Sequence, residues 1–210
     1  IAANLVSMFT PMGNPQNLYL FSLSGLSIPQ FLALTGPYVL AAGALLLFFA
    51  LPAYQKASIT PPLSPADRLR RGTVCFYLTL FCCCLLTVAG ILPHAVLLVA
   101  VSVAVLIKNR KLFLSVDYSL LLTFVFFFVF VGNVRRMEGL HGLISSLVSG
   151  RERLLGVLMS QIISNVPAAM LLSGYTDRME DLIIGTNLGG LGTLIASMAS
   201  LISYKQIAGG

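Results

Sequence analysis

The sequence predicts an all-α integral membrane fold whose spanning helices are interrupted at polar breaks. Three observations carry this reading. Hydrophobic residues make up 57% of the chain and charged residues only 10%, with a mean hydropathy of +0.92; a soluble domain carries roughly 25% charged residues. The charges are also segregated, with none in residues 1–55, 72–107, 154–176 and 182–204. An uncharged apolar run of about 18 residues or more is a candidate spanning helix, and roughly five or six such spans fit here. Finally, three of the apolar stretches are cut by clusters of Pro, Gly, Asn and Ser.

The net charge of +6 does not indicate nucleic acid. Lys and Arg lie between the apolar stretches, where they hold loops on the cytoplasmic side. Cys75, Cys82, Cys83 and Cys84 share one apolar span with no His or carboxylate, so buried thiols are expected rather than a metal site or a disulfide framework. The chain opens at Ile1 directly into apolar sequence and stops soon after a span. It therefore reads as the interior of a longer protein.

Residues 1–34 are apolar but interrupted by Thr10-Pro11-Met12-Gly13-Asn14-Pro15-Gln16-Asn17. Two prolines and a glycine cannot continue a regular helix, which predicts two half-helices joined by unwound chain at membrane depth. Residues 36–53 form the next span. A polar connector over 54–72, with Pro61, Pro62, Pro65, Lys56, Arg68, Arg70 and Arg71, is expected in the cytoplasm. Residues 73–92 and 94–107 form a helical hairpin turning at Pro93 and returning to Lys108, Arg110 and Lys111 on the same side. Residues 117–132 then cross outward, with Asp117 read as part of a helix cap rather than an ion ligand.

Over 133–153, charged residues alternate with Leu140, Leu143, Ile144 and Leu147 at helical spacing, predicting an amphipathic helix along the membrane surface. His141 on it reads as interfacial. Residues 154–176 are broken near the centre by Ser164-Asn165-Val166-Pro167, leaving arms of about ten residues, too short to cross singly. A re-entrant hairpin accounts for both arms and break. The last crossing, 181–206, is softened by Gly185, Gly189, Gly190 and Gly192 around Asn187 and Thr193.

The first and last segments also match each other. The offset that lays Asn4-Leu5 on Asn187-Leu188 lays Ile1 on Ile184, Thr10 on Thr193, Leu18 on Leu201 and Gly13-Asn14 on Ala196-Ser197. With the two copies oppositely oriented, paired interrupted helices point to a transporter binding site.

The run Thr10 to Asn17, Ser164-Asn165-Val166-Pro167-Ala168 and Gly185-Thr186-Asn187-Leu188-Gly189-Gly190 resemble signatures of the citrate-transporter-like permeases. These belong to the ion-transporter superfamily, with divalent-anion/sodium symporters and arsenite permeases. Asp117-Tyr118-Ser119-Leu120-Leu121 through Phe130-Val131-Gly132-Asn133 is similar to the span before the second hairpin. The resemblance implies an inverted-repeat secondary transporter in which each repeat has a re-entrant hairpin and a broken helix. Residues 1–53 are then the end of the first repeat, 54–72 the connector and 73–210 most of the second. The resemblance puts the second hairpin tip at Ser164-Asn165-Val166 and the second break at 193–197. Where the symporter motif ends in Thr, this chain has Val166 and Pro167, a form closer to the arsenite-permease branch.

No Lys or Arg within a span can neutralise an anion, so hydration must be replaced by amides, hydroxyls, helix ends or a bound cation. The expected site is Thr10, Gly13, Asn14, Asn17, Ser164, Asn165, Val166, Asn187, Gly189, Gly190, Thr193 and Ser197. Pro11, Pro15 and Pro167 are the breakers. Unwound carbonyls could take Na⁺ as a coupling ion; no other cofactor or metal is expected. The expected partners are a small anion and the bilayer, with a homodimer as one assembly, in a multi-pass plasma membrane protein of a bacterium or archaeon. The leading function is secondary transport, by alternating access, of a di- or tricarboxylate such as citrate or an inorganic anion, coupled to Na⁺ or H⁺. Its rivals are arsenite or antimonite efflux, cation/proton antiport, and a non-transporting scaffold with continuous helices. No acidic pair, His pair or Ser-His set lies at membrane depth, so an enzyme is not expected.

Overall fold

A computed structural model describes residues 2–54 and 71–208, and the described residues are helical with no strand. Most of the connector, with Lys56, Pro61, Pro62, Pro65, Arg68 and Arg70, lies outside the described residues. The helices are α1 (Ala2–Ser7), α2 (Pro15–Ser24), α3 (Ile28–Tyr54), α4 (Arg71–Val88), α5 (His94–Asn109), α6 (Lys111–Leu114), α7 (Tyr118–Arg135), α8 (Glu138–Val148), α9 (Glu152–Ile163), α10 (Asn165–Leu172), α11 (Met179–Gly190) and α12 (Met198–Ala208). The chain divides into two compact units, residues 57–120 and the remainder.

In the smaller unit α4 and α5 form the expected hairpin. Gly90 ends α4 in a left-handed conformation (φ +77°). Its N–H reaches the Thr87 carbonyl at 3.0 Å while that of Ile91 reaches Leu86 at 2.9 Å, the paired bonds of a Schellman stop. Pro93 then caps α5. The Lys108 ammonium lies 5.7 Å from the Phe76 ring centroid, so the basic end of α5 returns beside the start of α4. The four thiols lie along α4, but contrary to expectation none is buried within the chain: Cys75 and Cys82 are exposed and Cys83 and Cys84 half-buried, as Leu78, Phe81, Leu98, Val99 and Ile107 are exposed.

The larger unit is built around the interrupted segments. Its core joins Leu20 of α2, Phe31 of α3, Val148 of α8, Ala169 and Leu172 of α10, Tyr175, and Leu182 and Ile183 of α11. On α8 the apolar face is shared, with Ile144 and Val148 on this core and Leu143 and Leu147 exposed. The His141 ring lies tilted against that of Tyr175, centroids 5.2 Å apart. Along α3, Leu40, Leu47, Phe48, Phe49 and Leu51 are exposed, the pattern of a helix solvated by apolar surroundings rather than water.

Two boundaries differ from expectation. The second arm of the first segment stops at Ser24, before a left-handed Gly25 (φ +66°), so residues 28–34 begin the next helix. Ser27 sets that start: Gln30 Oε1 accepts both the Ser27 N–H and its hydroxyl at 2.8 Å, the reach-back of a capping box. The count of full-length spans is also lower. Among the described residues, Ile28–Leu51 and Arg71–Val88 are long and apolar enough to cross a membrane, with His94–Asn109 and Leu121–Val134 shorter. The remaining apolar sequence is spent on half-helices and hairpin arms of 6 to 12 residues.

Candidate functional site

The segment after Glu152 folds back on itself at Ser164. The residue has φ +73° and ψ +156°, a region that suits glycine and costs a side-chain-bearing residue about 1–3 kcal/mol. Pro167 follows in the first turn of α10, where its missing N–H breaks no helical bond. α9 and α10 pack together, and the Thr176 hydroxyl donates to Glu152 Oε1 at 3.0 Å. The ends of the segment therefore lie side by side, which makes it a hairpin.

α11 lies parallel to α9 through two pairs of small residues. Gly156 sits against Gly185, and Ser160 against Gly189, matching small residues four apart on both helices. A side chain at Gly156 or Gly185 would collide with the facing backbone, and one at Gly189 with Ser160, so small residues set the close approach. A charge network of two buried carboxylates and two exposed arginines fastens the same helices at the hairpin base. Arg153 pairs with Asp181, and Arg178 with Asp181 at 2.6 Å and with Glu152 at 3.7 Å. Burial pushes the Glu152 carboxyl up, but N–H donors, the Thr176 hydroxyl and the Arg178 charge outweigh it and hold the group below its ordinary value. A cavity of about 350 Å³ opens beside this network, lined by Ser24, Arg153, Asp177, Arg178, Glu180 and Asp181.

The hairpin tip meets the second break. α11 ends at Gly190 and α12 starts at Met198, leaving 191–197 non-helical. The Asn165 N–H donates to the Ala196 carbonyl at 2.9 Å, with the Ser164 hydroxyl on the same oxygen at 3.4 Å. The Gln161 side chain donates to the Gly189 carbonyl at 2.8 Å and accepts from the Thr193 N–H at 2.9 Å. From the first segment, Asn4 Nδ2 donates to the Gly190 carbonyl and to Ser200 Oγ, both at 2.8 Å, and Asn4 Oδ1 accepts the Ser197 hydroxyl at 2.7 Å. These amides satisfy main-chain groups that the end of α11 leaves unpaired.

The first break, 8–14, is closed by Asn17. Its Nδ2 faces the carbonyls of Ser7, Met8 and Thr10 at 3.4, 3.3 and 3.1 Å, and its Oδ1 accepts from Asn187 Nδ2 at 2.6 Å. Gly13 lies against the Ser7 carbonyl, where a Cβ would not fit. Asn187 Nδ2 also donates to the Ile183 carbonyl at 2.8 Å. Asn187 Oδ1 and Gln16 Nε2 are buried with no hydrogen-bond partner.

The geometry thus gathers Asn17, Ser164, Asn165, Asn187, Gly190 and Ser197 of the residues expected from sequence. Pro15 opens α2 and Pro11 is buried in the break. Asn14 stands at the cap position of α2 without a side-chain capping bond. Thr10 and Thr193 take part through their backbone groups. Gly189 belongs to α11 and packs on Ser160 rather than lying in the unwound stretch. Val166 packs with Val131 and Met170 in a separate apolar cluster. Sequence reasoning left out Asn4, Gln16, Gln161, Glu152 and Ser200. For Asn4 the signal existed, since the internal match lays it on Asn187.

Exposed apolar helices, two of them long enough to cross a membrane, mark an integral membrane protein that is helical over its described residues. Residues 1–199 match the family described as Citrate transporter, and the chain belongs to that family. It is 35% identical over 207 residues to "Uncharacterized transporter MJ0456" of Methanocaldococcus jannaschii, covering 98% of this chain and 56% of that protein. It is 32% identical over 219 residues to "Inner membrane protein YbiR" of Escherichia coli K12, again covering 98% and 56%. The chain spans about half the length of the curated relatives it matches. No solved structure matches it.

Proposed function

We propose that the whole protein is a secondary active transporter of an anion, a di- or tricarboxylate such as citrate or an inorganic anion. Transport is coupled to Na⁺ or H⁺ and proceeds by alternating access. The observation that carries this reading is the meeting of both breaks with the hairpin tip, through Asn187 on Asn17 and the Asn165 N–H on the Ala196 carbonyl. Amides, hydroxyls and main-chain groups of interrupted helices converge there without a fixed positive charge, as a site needs if it binds an anion and later releases it. The hairpin is re-entrant in this reading, and the cluster lies near the membrane midplane.

The two halves are inverted repeats. Under the offset that pairs Asn4 with Asn187, the end of α1 (Ser7) falls on the end of α11 (Gly190). The start of α2 (Pro15) falls on the start of α12 (Met198). The contacts exchange in the same way: α1 packs on α12 while α2 packs on α11, and Asn4 reaches Ser200 while Asn187 reaches Asn17. Such reciprocal contacts are what a two-fold relation produces.

The test is uptake of labelled citrate, succinate, sulfate and arsenite by the full-length protein in vesicles, with and without Na⁺. Cation-dependent accumulation of a carboxylate or sulfate is expected. Arsenite movement alone would replace this reading with efflux, and no movement of any substrate would sink it.

A further inference from the structure

Resting on the transport reading, the geometry points to Asn187 Oδ1 as the atom that takes an electropositive group, a cation or a hydroxyl proton, from the transported ligands. The argument is a difference between two positions that otherwise match. Asn4 and Asn187 occupy the same place in the two segments, are 4% and 3% exposed, and each donates across to the other break. Asn4 Oδ1 accepts the Ser197 hydroxyl at 2.7 Å, whereas Asn187 Oδ1 has no partner. The amide cannot simply be turned over, because its nitrogen faces the Ile183 carbonyl, an obligate acceptor.

One residue differs at the matching cap position. Ser197 caps α12, accepting the Ala199 N–H at 3.3 Å while its proton goes to Asn4. The counterpart of Ser197 is Asn14, whose side chain makes no capping bond to α2. A buried amide oxygen left without a partner is costly, so the position favours a ligand that brings an electropositive one. A sodium ion does so, and so does a hydroxyl on the anion; an ionised carboxylate oxygen does not.

The experiment restores the donor. Asn14→Ser in the full-length protein copies the Ser197 arrangement, and Asn14→Ala removes the amide without adding a hydroxyl. Asn14→Thr serves if the Ser variant does not accumulate. Three probes are titrated: sodium chloride against choline chloride, citrate, and tricarballylate, which is citrate without its hydroxyl. The hydroxyl variant is expected to melt higher in the absence of probe. It should bind one probe roughly 5- to 150-fold more weakly than the alanine variant does. Weaker sodium binding assigns a cation; weaker citrate binding with unchanged tricarballylate binding assigns the substrate hydroxyl. Hydroxyl and alanine variants that bind every probe equally would overturn the assignment and leave the transport reading standing. A parent protein that binds neither sodium nor citrate would overturn both.

Discussion

The Thr176 hydroxyl donates to the Glu152 carboxylate at 3.0 Å, joining the two ends of a segment that turns at Ser164. A single crossing helix would hold those ends on opposite faces of a bilayer about 30 Å thick in its hydrocarbon core. Single cysteines at Gly150 and Thr176 in the full-length protein should therefore be labelled by an impermeant reagent from the same side. Labelling from opposite sides would exclude a re-entrant segment.

The same carboxylate offers a stability test. Glu152 is 2% exposed and accepts from the Gly150 N–H at 3.1 Å as well as from Thr176. Glu152→Gln should lower stability by about 1–3 kcal/mol, read as a lower melting temperature. Its folded pKa is depressed below the ordinary 4.5. The carboxylate's contribution is therefore complete above that ordinary value and lost as pH falls through the lower, folded one. The parent should lose stability on the acid side of that window, and the Gln variant should show a flatter profile there.

Close packing of α9 on α11 predicts an asymmetry among glycines. Gly185→Leu drives a side chain into the Arg153 backbone and should cost at least about 1–3 kcal/mol. Gly132→Ala, on an α7 position with open space around it, should gain up to about 1 kcal/mol from helix propensity. Thermal melts of the two variants in one detergent decide it, and equal melting temperatures would refute the tight crossing.

Amides at the breaks should matter for transport more than for folding. Asn165→Ala and Asn187→Ala in the full-length protein should cut transport roughly 5- to 150-fold, the equivalent of about 1–3 kcal/mol, with near-normal membrane insertion. Ser102→Ala, in the α4–α5 unit, should leave both unchanged. If both Asn variants transport at the parent rate, or fail only by losing folded protein, the amides are packing groups.

The chain's own sequence determined the membrane class and where its helices fail. Segregated charges and apolar runs mark a protein solvated by lipid, and the first break and the hairpin tip were legible because Pro11, Pro15 and Pro167 each remove an N–H and bar the preceding turn. The capping pair Ser27 and Gln30 was equally local, and shows that the second boundary could have been read as well. Tertiary structure alone decided what closes each break. The partners of Asn4, Asn17, Gln161 and Asn187 include main-chain carbonyls, and every residue has one. An amide in the sequence therefore names no acceptor until packing brings one within about 3 Å. Gly185 reads in sequence only as softening the last crossing, and with Gly156 it becomes a helix crossing only when α9 and α11 are laid side by side. Asn187 differs from Asn4 in that its oxygen meets no donor, and that difference exists only in three dimensions, because packing decides which groups surround each amide.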